Sequence, residues 1–406
     1  MGGGAVGLAT ARCLRRAGAE VVLVERGRCG RATSLGNAGW VTPMLSTPLP
    51  APGAVLQGAR WLLDPASPLL VRPRFDPAFA RWLWRFARNC SAARYEAAAR
   101  ALLALNAGTL ELFDELLDTG VEFEQYETGV LTVALDEGEL EKEWKRMQNL
   151  AALGYPSTFE LLDGPAARRA DPAVGPRVVG GVFAPTERHV RPETLTAGLL
   201  AHLRADGVDV REGVAVTGLR PRGTGWQLDS SAESIAADRV VLAAGIWSKP
   251  LLAALGTRIP LEAAKGYSLT YRTDRGAPRH ALMLQEAKVG VSPFAGEVRF
   301  AGTLELGGES LELRPRRLGA IRRAASDYLA GFAGSSELAW AGLRQLLPDG
   351  LPVIGRVPTA DGVFAATGHG MLGITLAPAT AAVLAPLVLD DRLDPVLEPL
   401  RLDRAF

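Results

Sequence analysis

Met1-Gly2-Gly3-Gly4-Ala5-Val6-Gly7 opens the chain. Gly2, Gly4 and Gly7 stand in the G-x-G-x-x-G spacing of a dinucleotide-binding turn. Leu8 to Ala17 reads as helix and Gly18 as a turn. Val21-Val22-Leu23-Val24 reads as an apolar strand ending in Glu25, 18 residues after Gly7. In this motif the first glycine makes the tight turn and the second lets the backbone approach a pyrophosphate. The third lets the helix pack on the sheet. Free N–H groups and the positive dipole end of the helix then face the phosphates. Ala5 and Val6 belong to that helix start, and Glu25 is placed to hold both hydroxyls of an adenosine ribose. Glycine spacing alone is a weak signal, and a flexible tail is the alternative. The ordered helix, turn, strand and acidic end favour the motif.

No strand precedes the turn, although the motif follows the central strand of its sheet. A strand of about five or six residues buries about four apolar side chains, each worth roughly 1.5–3 kcal/mol. That sum rivals the whole stability of a domain, about 5–15 kcal/mol. The expectation is a true start upstream of Met1, with weak dinucleotide binding or poor solubility for the sequence as written. Equal melting temperature and cofactor content in a protein extended by one apolar strand would refute it.

Length, at 406 residues, suggests two or three domain-sized units, and 48% hydrophobic residues allow a large core. The 45 basic and 44 acidic residues leave a net charge of +1, which argues against a nucleic-acid partner. Cys13, Cys29 and Cys90 are odd in number and lack metal spacing, which reads as free thiols in a reducing compartment. His189, His202, His280 and His369 are too scattered for a usual metal site, so no metal is expected. Neither a signal peptide nor an apolar run of 18 residues is present, giving a cytoplasmic expectation. Phe79 to Arg88 mixes aromatics with arginines, as an interfacial helix does, so peripheral contact on the inner face of a membrane stays open. The plainer reading, with aromatics in the core and arginines solvated, is preferred.

Along the chain, Arg31 to Trp40 is a small, glycine-rich loop able to lie against a ligand. Helical periodicity marks 75–90, 92–118, 137–153, 192–205 and 314–332. Strand-like pieces fall at 121–126, 129–134, 208–212 and 225–229, and the block 267–306 alternates like an antiparallel sheet. Ala237 to Gly245 reads as a buried parallel strand, and 362–367 as a strand before a glycine-rich turn and a final helix. The fold class expected is α/β. A Rossmann-like dinucleotide-binding domain made of 1–75, 185–260 and 338–406 carries an inserted α+β substrate domain, 76–184 and 261–337, built on an antiparallel sheet.

Four phrases share one likeness. They are the opening motif with Glu25, the loop Ser34-Leu35-Gly36-Asn37-Ala38-Gly39, the strand Val240 to Gly245, and the C-terminal block. That block runs from Trp340-Ala341-Gly342-Leu343-Arg344 through Pro348-Asp349-Gly350 to Thr367-Gly368-His369-Gly370-Met371-Leu372-Gly373. The chain resembles the FAD-dependent D-amino-acid oxidase/dehydrogenase superfamily, most closely its D-amino-acid dehydrogenase small-subunit branch. Glycine oxidase is a more distant likeness. The resemblance implies a non-covalent FAD in the Rossmann-like domain and substrate over the flavin in the other. It assigns Gly2, Gly4 and Gly7 to the pyrophosphate, and Glu25, with Arg26 beside it, to the adenosine. Ser34, Asn37, Ala38 and Gly39 go to the pyrophosphate and flavin edge. Val214 or Val216 frames the adenine, Ala244 and Gly245 lie near the ribityl chain, and Gly368, Gly370, Met371, Leu372 and Gly373 face the flavin pyrimidine ring. Backbone donors there would stabilise reduced flavin.

On the substrate side the resemblance gives Arg344 the amino-acid carboxylate. A guanidinium grips a carboxylate with two parallel hydrogen bonds. A surface or inter-domain salt bridge is the competing role. Tyr267 either closes over substrate or is a packed strand tyrosine, and His369 either tunes proton traffic or holds the turn. The implied reaction is hydride removal from Cα of a D-amino acid, or of a secondary amino acid such as D-proline or hydroxyproline, to flavin N5. The imine hydrolyses, and electrons pass to a quinone or another carrier. A glycine/sarcosine-type oxidase using oxygen, an NAD-dependent dehydrogenase and a non-catalytic flavin-binding protein are the rivals. A flavin absorbance spectrum and anaerobic bleaching by D-amino acids separate them.

Overall fold

Helix Ala5–Arg16 follows the opening glycines directly, with extended Gly4 as its N-cap. Its small inner face (Ala5, Leu8, Ala9, Ala11) is buried against helices Pro192–Ala205 and Ala377–Asp390. Arg15 and Arg16 lie in the last turn, at the negative end of the dipole. The computed structural model describes residues 1–62, 67–72, 74–156 and 158–406.

Two short parallel pairs flank the start of this helix. Val22–Glu25 pairs with Asp209–Glu212, in register Val22 with Asp209. Val240–Leu242 pairs with Val363–Thr367, which runs antiparallel to Val353–Arg356. Met1 and Gly2 lie between them. The Met1 nitrogen donates to the Val241 carbonyl at 2.8 Å, Ala243 N–H donates to the Met1 carbonyl at 2.8 Å, and Gly2 N–H donates to the Val24 carbonyl at 2.9 Å. This part of the α/β fold comes as two separate sheets with Met1–Gly2 at their junction.

The other layer is a nine-stranded sheet in which Glu262–Arg275, next to the edge, pairs antiparallel with Glu297–Leu306 on one side and with the edge strand Ala333–Leu346 on the other. The expectation of an antiparallel sheet needs correction. Ala281–Leu284 pairs parallel with Val130–Ala134, and Leu69–Val71 pairs parallel with 304–306. Helix Pro315–Tyr328 covers one face, where Ile321 and Tyr328 pack with Tyr267, Leu269 and Phe300. Each such fully buried side chain contributes about 1.5–3 kcal/mol. A small sheet of Trp40–Val41, Arg188–Val190 and Gln125–Tyr126 sits beside these layers.

Two of the expected domain boundaries meet continuous structure. Leu69–Val71, assigned to the first segment, is a strand of the large sheet. The break at 337/338 falls inside the strand Ala333–Leu346. The helix expected over 92–118 is two, Ala92–Asn106 and Thr109–Asp118, because Gly108 at φ +77° turns the chain between them. The strand expected over 121–126 shortens to Gln125–Tyr126. Among the described residues no helix is long and apolar enough to cross a membrane.

Candidate active site

A cavity of about 410 Å³ runs from the opening glycine turn to the strand Ala333–Leu346. The three motif glycines do different work in it. Gly2 has φ +102°, and a Cβ there would lie 2.4 Å from the Ala243 carbonyl oxygen. A Cβ on Gly7 would lie 1.9 Å from the Gly2 carbonyl oxygen, so Gly7 is what lets the helix sit against the turn. At Gly4 the nearest atom to such a Cβ is Ser34 Oγ at 3.6 Å, leaving an open backbone face on the cavity. Gly7 itself does not line the cavity; its role is packing.

Glu25 lines the same wall. Its carboxylate accepts from Gly3 N–H at 2.7 Å and from Gly27 N–H at 2.9 Å. These bonds orient the group, and each oxygen keeps capacity for a further donor. Beside it Arg26 stacks its guanidinium 3.6 Å from the centre of the Trp247 ring. Val214, Val216, Thr217 and Leu251 complete this end.

Ser34 Oγ accepts from Ala5 N–H at 3.2 Å, and Asn37 Oδ1 accepts from Gly39 N–H at 2.8 Å, an Asx turn. The loop is tied to the large sheet by Arg299. That buried guanidinium donates to the carbonyls of Leu35 at 3.2 Å and Asn37 at 2.9 Å, and pairs with Glu193. Ala38 and Gly39 do not reach the cavity. The Ala38 carbonyl accepts from Ser292 Oγ at 2.7 Å, and a Cβ on Gly39 would strike the Val190 carbonyl at 1.9 Å.

Ala244 and Gly245 line the middle of the cavity. The C-terminal turn contributes His369, Gly370 and Gly373. Gly368 packs on Leu347, Met371 is 51% exposed, and Leu372 joins a core cluster with Ile354 and Phe364. These three residues face away from the cavity because the turn alternates its contacts between protein and open space.

Arg344 closes the far end. It pairs across the strands with Ala264, and its guanidinium lies over Gly266, where a Cβ would be 2.8 Å from Cζ. No acidic or carbonyl group among the described residues holds it, and burial alone pushes its pKa down to about 10. It is therefore a cation at neutral pH. Trp340 and Gly342 share its strand face. The indole lies between Gly36 and Gly342, in the space that a side chain at either glycine would fill. Reading 333–346 as a strand would have found both by their two-residue period from Arg344.

Tyr267 borders the cavity, but its hydroxyl donates to Glu305 at 2.6 Å, and burial with that hydrogen bond pushes its pKa up. Glu305 also faces Lys265, Arg314 and Arg72. The tyrosine is a packed strand residue with a committed hydroxyl. His369 is buried with Nε2 3.0 Å from Thr380 Oγ1, and burial lowers its pKa to about 4. It is neutral at neutral pH.

This geometry can be set beside known proteins. The family model described as FAD dependent oxidoreductase matches residues 1–387. The chain belongs to the FAD-dependent oxidoreductase family. This oxidoreductase is 36% identical over 400 residues to a D-amino acid dehydrogenase of Xanthobacter autotrophicus, covering 96% of this chain and 94% of the relative. It is 34% identical over 401 residues to a D-amino acid dehydrogenase of Phenylobacterium zucineum, covering 96% and 92%. Glycine oxidase from Geobacillus kaustophilus has the same mixed α/β fold, with TM-score 0.79, 21% identity, and coverage of 100% of this chain and 97% of that one. The oxidoreductase is thus a flavoprotein by family. Its cavity fits FAD chemically: an open backbone approach at Gly4, an oriented carboxylate at Glu25, and a half-buried cation without a partner among the described residues at the opposite end.

Proposed function

We propose that this enzyme oxidises the Cα–N bond of a D-amino acid, including secondary amino acids such as D-proline or hydroxyproline. The observation that carries the reading is Arg344. A half-buried cation without a partner among the described residues carries a desolvation cost, which a ligand that supplies the counter-charge removes. A carboxylate meets it with two hydrogen bonds and fixes the orientation of the amino acid. The D-amino acid dehydrogenases among the relatives point to the same substrate class.

FAD, when bound, supplies the hydride-accepting chemistry. Gly2, Gly4, Ala5, Val6 and Ser34 would hold its pyrophosphate, Glu25 the adenosine ribose, and Arg26, Trp247, Val214 and Val216 the adenine surroundings. Asn37, Ala244, Gly245, Gly370 and Gly373 would border the flavin end. Tyr267 and His369 act here as structure, one bonded to Glu305 and the other to Thr380. Neither is placed to take a proton, which suits a substrate that enters with its amine neutral.

Electrons then leave to a quinone or another carrier. Helix Pro77–Asn89 supports peripheral contact with an anionic membrane: it buries Phe79 and Trp82, exposes Arg81, Trp84 and Arg88, and contains no acid. The test is an anaerobic panel of D- and L-amino acids with the holoenzyme, followed at the flavin absorbance. Bleaching by D-amino acids is expected. Bleaching by L-amino acids alone, or by none, overturns the reading.

A further inference from the structure

We infer that Gln345 is a further cofactor-contacting residue, whose carboxamide hydrogen-bonds the flavin end of FAD. The inference rests on the orientation proposed above, with the adenosine at Glu25 and the reacting ring beside Arg344.

Gln345 follows Arg344 in the strand Ala333–Leu346, so the two side chains leave opposite faces. That strand is the edge of the large sheet, and both faces reach the cavity. Two turns meet at this residue. The Gln345 carbonyl accepts from Gly370 N–H at 3.0 Å, which docks the strand on the C-terminal turn. Its side chain approaches the other turn, with Nε2 3.0 Å and Cδ 3.4 Å from the place a Cβ on Gly245 would take. Gly245 is held there by Thr367 Oγ1, which donates to its carbonyl at 2.9 Å.

The carboxamide therefore sits on the cavity wall between the two turns. It carries two N–H donors and an acceptor oxygen. The side chain makes no hydrogen bond to another described residue. The half-buried amide lines the open cavity, where a ligand with matching groups can take up both its functions. The ring and ribityl chain of a flavin present carbonyl oxygens, ring nitrogens and hydroxyls that match both amide functions. Glycines border the amide on both turns, at Gly245 and Gly370, which leaves its donors and acceptor open to those atoms.

The experiment titrates apoprotein with FAD by quenching of flavin fluorescence, for wild type, Gln345→Leu and Gln345→Asn. ADP affinity is measured in parallel by competition. Gln345→Leu should raise the FAD Kd about tenfold, leave the ADP Kd within about twofold and shift the visible flavin bands, with Gln345→Asn recovering part of the loss. An unchanged FAD Kd with unshifted bands overturns the inference, and so does an equal loss for FAD and ADP. ADP that fails to compete with FAD in the wild type instead overturns the underlying orientation.

Discussion

The two ends of the cavity are built on opposite principles. At the glycine turn the polar side chains are already oriented by the protein: Glu25 accepts two backbone N–H groups, and Ser34 accepts one. At the strand end the half-buried Arg344 guanidinium has no counter-charge among the described residues. The first end is rigid before any ligand arrives. The second stays costly until one does. The contrast teaches that a cofactor held for the life of the protein can be met by a finished surface. A substrate that turns over is met by a deficit that binding repairs.

The largest effect should come from removing the deficit. Arg344→Ala should lower kcat/KM about a thousandfold, the scale of a lost charged pair, while FAD content stays at the wild-type level. Arg344→Lys should recover only part, because a point charge cannot replace the fork. Steady-state rates with a flavin spectrum check both, and a full-rate alanine variant would erase the contrast. The finished end breaks differently. Gly7→Val places a side chain into the Gly2 carbonyl, so purified protein should come out colourless or insoluble.

A milder change at that end sharpens the comparison. Glu25→Gln should loosen FAD about tenfold and leave kcat of the flavin-loaded enzyme near wild type, as fluorescence titration and saturating-FAD assays would show. Carboxylate ligands should affect only the other end. A non-oxidisable carboxylate such as acetate should raise Tm in the wild type but not in Arg344→Ala, by a few degrees at concentrations well above Kd.

The smallest effect concerns acid. His369 and His189 are both lowered to about 4 by burial. Between pH 6.5 and 4 the unfolded chain binds protons that the folded one refuses, so stability falls as pH drops through that window. Glu187, raised by burial to about 7, works against this, since its folded form keeps a proton up to neutral pH. Two imidazoles outweigh one carboxyl, so Tm should decline from pH 6.5 towards 4.5. His369→Asn should flatten the decline, as thermal melts across pH would show.

The nucleotide side was the more legible part of the sequence. Its signals are local: glycine spacing, a helix, then a strand with an acidic end. Arg344 was legible through its neighbours in the chain, Gly342 to Asp349. The long strand around it was not, because its first half (Ser335, Ser336, Glu337, Leu338) is exposed and breaks the alternation. Trp247, Trp340 and Gln345 went unnoticed for the same reason: their importance comes from what lies across space. The roles of Gly39, Gly368 and Leu372 were hidden too. Turn glycines and apolar turn residues look alike in sequence whether they face a ligand or the core.

Trp340 has a consequence for how this lineage can drift. Its indole occupies the volume of two absent side chains, one at Gly36 in the loop and one at Gly342 in the strand. A mutation to a larger residue at either glycine is blocked while the ring stays. Once the ring shrinks, both glycines are freed together. The three positions should therefore change as a set among descendants, a covariation that links a loop and a strand about 300 residues apart along the chain.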